Sequence, residues 1–215
     1  MSLLTIYLCK NKLSIMIIYM GGFMPRPSKK LERTEEIMQA FRRCVARYGL
    51  EGSTLERIAE ESGLQRSLVR HYVGNREDLT LQLIEQMAAQ YEREWREMLS
   101  ELPATEVAPA FLRMLFEYED DDRERMQLES ALIFAASRDA AISDAMRSWT
   151  ERFYSDIAEV LRRDYPDADD DALQSVAFGV ASLYFNIDSM QPLQMADRYR
   201  ASALDAARRL VATLE

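Results

Sequence analysis

Residues 53–79, with the sequence STLERIAEESGLQRSLVRHYVGNREDL, decide how the N-terminal part of this chain folds. The segment Ser53-Thr54-Leu55-Glu56 matches a capping box, which predicts a helix that begins there and ends at Gly63. A second helix is predicted directly after this turn, from about Gln65 to Tyr72. The apolar side chains expected to lock the two helices together are those of Leu55, Ile58, Ala59, Leu64, Leu68 and Val69.

One further helix is predicted on each side of this pair. The first begins near Thr34 as its N-cap and ends at Tyr48-Gly49, where the glycine accepts a left-handed conformation. Asn75 is predicted to cap the other helix, which runs to about Leu99. The segment Pro25–Lys30 is expected to be a flexible basic arm, because its two prolines block a helix and its positive charges repel one another.

The rest of the chain predicts more helices and no strands, because no apolar–polar alternation extends over more than a few residues. The amphipathic segments lie near 105–118, 122–137, 139–164, 169–190 and 195–214. The turns between them are expected at Glu119–Asp122, Tyr165–Asp171 and Gln191-Pro192. The predicted fold class is therefore all-α.

Charge is distributed unevenly along the chain, whose net charge is −9. Residues 25–79 hold eleven Lys and Arg against nine Asp and Glu, whereas residues 80–215 hold fourteen against twenty-seven. The acidic total argues against a protein that coats nucleic acid along its whole surface. Any contact with a phosphate backbone is therefore expected in the N-terminal part alone.

Cysteine and histidine are too scarce for a metal or catalytic cluster. Cys9 and Cys44 lie far apart, and His71 is the only histidine of the sequence. We therefore expect a reduced, cytosolic protein that is not an enzyme and needs no metal or cofactor. The acidic runs Glu119–Asp122 and Asp167–Asp171 are interpreted as loop or helix-start charges, with a divalent-cation site as the alternative.

Residues 1–24 need a separate interpretation. They are apolar, but they lack the small-residue cleavage site of a signal peptide. The apolar run from Leu13 to Met20 is also shorter than the about 20 residues that span a bilayer. Because Met20 and Met24 offer later starts, we interpret this segment as extra, from a start placed too early or an added arm. The alternative is a genuine membrane-associated or dimer-stabilising segment.

The two helices of residues 53–79 have the features of a helix-turn-helix, whose second helix enters the major groove of DNA. Ala59 supplies the small residue that close packing requires, and Gly63 supplies the turn. The polar side chains on the outer face of the second helix are those of Gln65, Arg66, Ser67, Arg70 and His71. Glutamine bonds adenine and arginine bonds guanine, while the others can hold phosphates. On spacing alone, the alternative is a helical hairpin whose polar face is merely solvated.

Residues 37–79, IMQAFRRCVARYGLEGSTLERIAEESGLQRSLVRHYVGNREDL, resemble the N-terminal domain of the TetR family of bacterial transcriptional regulators. The matching positions are Ile37, Ala40, Phe41, Gly49, Thr54, Ile58, Ala59, Gly63, Leu64, Tyr72, Arg76 and Leu79. The resemblance covers residues 33–80, and beyond them only chain size and helix number match. The family often has tyrosine where Arg70 stands and phenylalanine where Val73 stands, so the plug between the third and fourth helices is smaller here.

The resemblance implies a division of labour along the chain. Residues 25–79 would form the helix-turn-helix DNA-binding domain, and residues 80–215 a helical regulatory and dimerisation domain. The protein would bind a palindromic double-stranded operator as a homodimeric repressor. The residues expected to contact DNA are Lys29, Lys30, Thr54, Gln65, Arg66, Ser67, Arg70, His71, Tyr72 and Arg76.

The resemblance also implies that the last two helices pair the subunits. Small residues near 177–182 permit close helix approach, and the last helix carries a second apolar face. The residues expected at the dimer interface are Ala177, Gly179, Ala181, Ser182, Leu204 and Leu210. The alternative is that these residues pack into the core of their own subunit.

A small apolar or amphipathic inducer is the expected ligand of the C-terminal helices, again through the resemblance. Aromatic and methionine side chains at helical spacing suit such a ligand, although they are as typical of an ordinary core. The residues expected to line the site are Trp95, Phe111, Met114, Phe134, Trp149 and Phe153. The sequence leaves open a DNA-binding regulator without an inducer, controlled by a protein partner or by abundance.

Overall fold

The computed structural model describes residues 29–117 and 123–215, which are almost entirely helical. Within these ranges the helices are α1 Lys29–Gly52, α2 Leu55–Ser62, α3 Arg66–Val73, α4 Arg76–Glu101, α5 Val107–Glu117, α6 Arg123–Ala136, α7 Ala140–Arg162, α8 Asp170–Ser189 and α9 Ala196–Val211. Short 3-10 turns occupy Gln191–Leu193 and Ala212–Leu214. The described ranges contain no strand, and the predicted all-α class is confirmed.

Helix α1 begins earlier than the sequence predicts. Lys29 and Lys30 form its first turn, so Thr34 lies inside the helix and the predicted N-cap there is wrong. The physical reason is that no proline or glycine interrupts the chain between Pro27 and Gly49. At Gly49 the chain has φ 69°, and a last helical turn follows to Gly52. The extra segment 1–24, the start of the basic arm and the acidic run at 119–122 lie outside the described residues.

The start of α2 also differs by one residue from the prediction. Thr54 is the N-cap, and its hydroxyl accepts a hydrogen bond from the backbone N–H of Arg57 at 3.3 Å. The Ser53 side chain is fully buried, and its hydroxyl donates to the carbonyl of Gly49 at 2.8 Å. The capping hydroxyl therefore comes from Thr54 and not from Ser53. The capping box that the sequence predicts from Ser53 to Glu56 is not formed.

Two glycines fix the ends of α2 and α3. Gly63 has φ 68° and ψ 22°, so it ends α2 at the predicted residue, in a left-handed conformation. Gly74 has φ 81° after α3, and a Cβ atom at this position would collide with the carboxylate of Asp78. That carboxylate and the Asn75 side chain cap α4 reciprocally, at 2.9 and 2.8 Å, so the predicted cap at Asn75 is confirmed. Each turn is therefore specified locally by its own residues.

The core around α1 to α4 continues into the second half of the chain. Leu128 and Leu132 of α6 are fully buried in it, and Met146 of α7 completes the same cluster. Helix α6 packs along α1, and Arg42 Nε lies 3.0 Å from Glu124 Oε1 across this contact. The predicted boundary near residue 80 is therefore crossed by a continuous apolar core.

A second core joins α5, α7, α8 and α9. The Asp164 carboxylate, which follows α7, accepts a hydrogen bond from the backbone N–H of Ala108 at 2.7 Å and so satisfies the start of α5. Asp169 is the N-cap of α8, and Asp170 pairs with Arg162 at 2.6 Å. The second acidic run therefore starts a helix, as interpreted from the sequence.

The five helical segments predicted after residue 103 correspond to α5 to α9 within a few residues. Their amphipathic spacing was sufficient because each buries one face against its neighbours. Of the helices in the described ranges, none combines the length and the apolar character needed to cross a membrane.

Candidate nucleic-acid interface

Helix α3 presents one solvated face, which we call the reading surface: Gln65, Arg66, Ser67, Leu68, Arg70 and His71, all exposed. Val69 is fully buried and Val73 is nearly so, and these two residues attach α3 to the helices beneath it. Leu68 was predicted to point inward, but 42% of it is exposed, so that prediction is wrong. The short helix needs only one of the two neighbouring apolar residues for its inner face.

The charged groups of the reading surface differ in what they contact. Arg66 Nε lies 2.8 Å from Glu56 Oε1, so a carboxylate on α2 holds this guanidinium at the start of α3. Arg70 forms no ion pair with any residue in the described ranges, and its side chain is exposed. The His71 and Tyr72 rings meet edge to face, with centroids 5.2 Å apart. Of the two arginines on the reading surface, Arg70 is therefore the one more readily available to a phosphate.

The N-terminal end of α2 adds two residues that the sequence reading missed. The Arg57 guanidinium lies 4.7 Å from the centre of the Tyr48 ring and donates to the carbonyl of Gly52 at 2.6 Å. Tyr48 is 51% exposed and Thr54 is exposed beside it. No spacing in the sequence indicates this contact, because Tyr48 and Arg57 are brought together only by the turn between α1 and α2.

The other predicted phosphate contacts lie on different elements. Lys29 and Lys30 are exposed in the first turn of α1. Arg76 lies at the start of α4, where its Nη1 is 3.5 Å from a Glu51 carboxylate oxygen. This long contact leaves the guanidinium weakly held. The structure therefore distributes the predicted basic residues over α1, α3 and α4.

A paired set of charges holds α1 against α2. Arg43 Nε lies 2.6 Å from one Glu61 oxygen, and Arg47 Nη1 lies 3.4 Å from the other. The hydrogen bond from Arg43 lowers the pKa of the Glu61 carboxyl, and the charge of Arg47 acts in the same direction. These arginines are therefore engaged within the protein, as Arg66 is through Glu56, whereas Arg70 has no ion pair among the described residues.

The aromatic side chains of the C-terminal helices form a packed cluster. Trp95 contacts Phe111 and Phe153 edge to face, with centroids 5.8 and 6.1 Å apart. Phe111 is fully buried, and Met114 packs against the same core. Four of the predicted ligand residues therefore contribute to ordinary packing.

A half-buried polar pair borders this cluster. The Tyr91 hydroxyl donates to Asp156 Oδ2 at 2.9 Å. Burial raises the pKa of the Tyr91 hydroxyl, and the charge of Asp156 raises it further. Burial also raises the pKa of the Asp156 carboxyl, although the hydrogen bond from Tyr91 opposes that shift.

A cavity of about 210 Å³ lies between α4, α6 and α7, at the edge of the aromatic cluster. Its lining consists of Ile84, Glu85, Met87, Ala88, Tyr91, Glu92, Leu132, Ala145, Met146, Ser148, Trp149 and Arg152. The indole Nε1 of Trp149 is buried and has no hydrogen-bond partner among the described residues. A buried donor without an acceptor is costly, and Trp149 is one of the residues that line the cavity.

The structure places Phe134 away from the predicted ligand site. Its side chain is 64% exposed near the end of α6, and the Arg138 guanidinium lies 5.0 Å from the centre of its ring. The prediction that Phe134 lines the ligand site is wrong, because the inner face of α6 is occupied by Leu128 and Leu132.

The α8 and α9 helices form a surface groove of about 590 Å³ lined by Gly179, Ser182, Leu183, Asn186, Ala206, Arg209 and Leu210. Beside it Phe178 is 57% exposed. We call these eight residues the pairing surface. Gly179 brings α8 close to α9, since a Cβ atom there would lie 2.8 Å from Leu210 Cδ1.

Three residues predicted at the dimer interface lie inside the subunit. Ala177 and Ala181 are fully buried, and Leu204 is 6% exposed. They belong to the core of the C-terminal helices, so the prediction that they contact a second subunit is wrong. The small side chains let α7, α8 and α9 approach within one chain.

Comparison with known proteins gives similarity of two kinds. No family model matches the chain. The HTH-type transcriptional repressor AcnR of Corynebacterium efficiens is 38% identical over 61 residues, which are 28% of this chain and 32% of that repressor. AcnR of Corynebacterium diphtheriae is 39% identical over 57 residues, 26% of this chain and 30% of the relative. The chain therefore matches about a third of the length of these curated relatives.

Solved structures match most of the chain at low identity. A TetR transcription regulator from Haloarcula marismortui has a TM-score of 0.70 and 18% identity, over 85% of this chain and 97% of that one. A TetR-family regulator from Mesorhizobium loti has a TM-score of 0.67 and 19% identity, over 87% and 96%. A transcriptional regulator from Saccharomonospora viridis, solved in complex with choline, has a TM-score of 0.69 and 16% identity, over 81% and 94%.

Proposed function

We propose that this chain, which has the fold of TetR-family regulators, is a sequence-specific DNA-binding transcriptional repressor controlled by a small ligand. The observation that carries the proposal is the reading surface: a short helix after a glycine turn, attached by two buried valines, with its other side chains exposed. Such a helix can enter a major groove without rearrangement of the core. The AcnR relatives support the choice of repressor.

The DNA contacts divide into two groups by position. Gln65, Arg66 and Ser67 lie at the N-terminal end of α3, the end that reads base edges in helix-turn-helix proteins. Arg70, Lys29, Lys30 and Arg76 carry the charge that a phosphate backbone attracts. The first group sets sequence choice, and the second sets affinity for any DNA.

Homodimerisation follows from the operator geometry and the pairing surface. Two reading surfaces must lie about 34–36 Å apart to enter successive major grooves, and a palindromic operator matches a twofold dimer. The pairing surface offers an exposed aromatic ring and a groove floored by Gly179, which suits the ridge of an identical helix. We therefore propose that Gly179, Ser182 and Leu210 contact the second subunit.

The cavity at Trp149 is the proposed inducer site. Its volume of about 210 Å³ is below the range of about 300–1,000 Å³ for drug-sized ligands, so the inducer is small. The walls are mainly apolar, and the Trp149 indole is a hydrogen-bond donor without a partner among the described residues. Of the charged lining residues, Glu92 pairs with Arg152 at 2.6 Å, so the Glu85 carboxylate is the group that favours a positive charge. A small cation with a hydroxyl fits this description, and the choline-bound structural neighbour makes choline the first compound to test.

Coupling between this site and DNA runs through α6 as well as α4. Leu132 lines the cavity and is also fully buried in the core that holds α1. A ligand that displaces α6 therefore acts on α1 directly, in addition to any tilt of α4. Linkage then requires operator DNA to weaken ligand binding by the factor by which ligand weakens DNA binding.

Selection of bound sequences from random DNA tests the DNA-binding proposal. The wild-type protein should select a palindrome, and Arg66→Ala should lose roughly 1–3 kcal/mol of binding free energy and relax the selected sequence. Arg70→Ala should weaken binding to all sequences alike. It should also reduce the slope of log affinity against log salt concentration by the contribution of about one phosphate contact. The control is Arg162→Ala, which removes an arginine at the end of α7 that pairs with Asp170 and lies outside the reading surface. A protein that selects no sequence would contradict the proposal.

Calorimetric titration with choline, in the presence and absence of the selected operator, tests the ligand proposal. Trp149→Phe keeps an aromatic side chain and removes the donor, so it should weaken ligand binding and leave operator affinity unchanged. A thermal-shift screen of other small amines extends the test. If no compound releases operator, the alternative of a regulator controlled by a partner protein or by abundance becomes the better account.

A further inference from the structure

The exposed leucine of the reading surface is unexpected on a helix whose other outer residues are polar. Leu68 is 42% exposed, whereas its neighbour Val69 is fully buried. The two apolar residues therefore have separate roles: Val69 attaches α3 to the core, and Leu68 is left for another contact.

The position of Leu68 on the helix places it among the proposed base-reading residues. Ser67 precedes it, and His71 lies three residues later, one turn along the same face. All three side chains are exposed. A molecule that approaches Ser67 and His71 from solvent must therefore contact the Leu68 side chain.

The positive charge around Leu68 favours DNA as the molecule that contacts this leucine. Arg70 is exposed and without an ion pair among the described residues, and Arg66 lies at the start of the same helix. Phosphates that bind such cations would bring the floor of the major groove to the leucine. The floor carries one apolar group, the C5-methyl of thymine.

We propose that Leu68 is a specificity-determining residue that contacts a thymine methyl group in each operator half-site. This inference rests on the proposed DNA-binding function and adds a base preference to it. A leucine offers no hydrogen bond, so its discrimination comes from burying the methyl group away from water. Removal of that methyl should cost about fourfold in affinity for each half-site, the effect of one buried methylene.

The test removes the methyl from the DNA and the leucine from the protein. Each thymine of the selected operator is replaced symmetrically in both half-sites by deoxyuridine, which lacks only the methyl, and affinity is measured by fluorescence anisotropy. At one thymine position, this replacement should lower the affinity of the wild-type protein about fifteenfold, which is the combined effect of two half-sites. Leu68→Ala should bind the thymine and deoxyuridine operators equally, whereas Leu68→Met should keep the preference.

Controls separate this contact from general damage. Thermal unfolding of each variant checks that α3 remains folded, and Leu81→Ala is the matched variant, since Leu81 is also 42% exposed but lies on α4. Leu81→Ala should retain the full discrimination between thymine and deoxyuridine.

The possible results are all decisive. The inference is overturned if every deoxyuridine operator binds the wild-type protein normally, if Leu68→Ala retains the discrimination, or if the selected half-site contains no thymine. In those three cases the selected operator itself still supports the proposed function. If the wild-type protein selects no sequence at all, the proposed function and this inference fail together.

Discussion

The reading surface lies on the single helix α3, whereas the pairing surface is built from α8 and α9, and their chemistry is opposite. On α3 the exposed groups are mostly polar, including Arg70, which forms no ion pair within residues 29–117 and 123–215, with Leu68 as the apolar exception. Beside α9, by contrast, Phe178 is 57% exposed next to the small Gly179. A polyanion is the natural partner of the first surface, and an apolar copy of itself is the natural partner of the second.

The two surfaces also differ in what holds them in place. The ends of α2 and α3 depend on Gly63 and Gly74, which act within a few residues of chain. The α8–α9 contact depends on side chains that are distant in sequence, such as Leu210 against Gly179. One surface is therefore specified locally and the other through tertiary packing.

The largest effect should come from the core that joins the two halves of the molecule. Leu132 is fully buried between α6 and α1, so Leu132→Ala should reduce the free energy of unfolding by about 2–5 kcal/mol. Because the core is shared, one cooperative transition should shift as a whole in calorimetry. The exposed Ile133→Ala, one residue later, is the matched control and should change stability by about 0.5 kcal/mol or less. Separate melting of two domains would show that the core does not couple them.

Replacement of the exposed Phe178 ring by a charged side chain should disrupt dimerisation through the pairing surface. Phe178→Asp should weaken dimer association by about 2 kcal/mol or more, which analytical ultracentrifugation would show as monomer at micromolar concentration. Phe134→Asp is the matched control, since that phenylalanine is 64% exposed on α6 and outside the surface. Equal effects of the two substitutions would remove the distinction between Phe178 and an ordinary exposed residue.

The local specification of α3 should be sensitive to a single methyl group. Gly74→Ala forces an alanine to φ 81° and brings its Cβ against Asp78, so we expect a loss of about 1–3 kcal/mol in chemical denaturation. Gly179→Ala is the counterpart on the pairing surface, where the new methyl meets only the flexible end of Leu210. The second substitution should have the smaller effect on stability. The reverse order would contradict the view that local backbone geometry fixes the reading surface.

The smallest effect concerns the pH dependence of the C-terminal core. Burial raises the pKa of Asp156 above its ordinary value of 3.8, so the folded state binds the proton more tightly than the unfolded state. The wild-type protein should therefore lose stability as pH rises from about 3.8 through the folded pKa. Asp156→Asn stays neutral and still accepts from Tyr91, so its stability relative to wild type should increase over that window. Urea denaturation at pH 3, 5 and 7 measures this, and a constant difference would contradict it.

The sequence was most informative where a single residue type has few alternatives. The turn at Gly63, the cap at Asn75 and the amphipathic spacing of α5 to α9 all follow from local rules, and the structure agrees with them. It was least informative about which of two neighbouring apolar residues faces inward, as the exposure of Leu68 shows. Both Leu68 and Val69 fit the inner stripe of so short a helix, and only the position of the neighbouring helices selects one.

By itself, the sequence determined an all-α chain with a helix-turn-helix near its start, because turns, caps and helical periodicity act within a few residues. Tertiary structure alone decided that Ala177 and Ala181 pack inside the subunit, whereas Gly179 lies at the surface. It also decided that Trp149 keeps a buried indole N–H that finds no partner in the part of the chain that the structure describes. Small and aromatic side chains suit a core, an interface or a ligand equally well. Their role depends on which residues the fold places opposite them. Those residues are distant in sequence, so no local pattern indicates them.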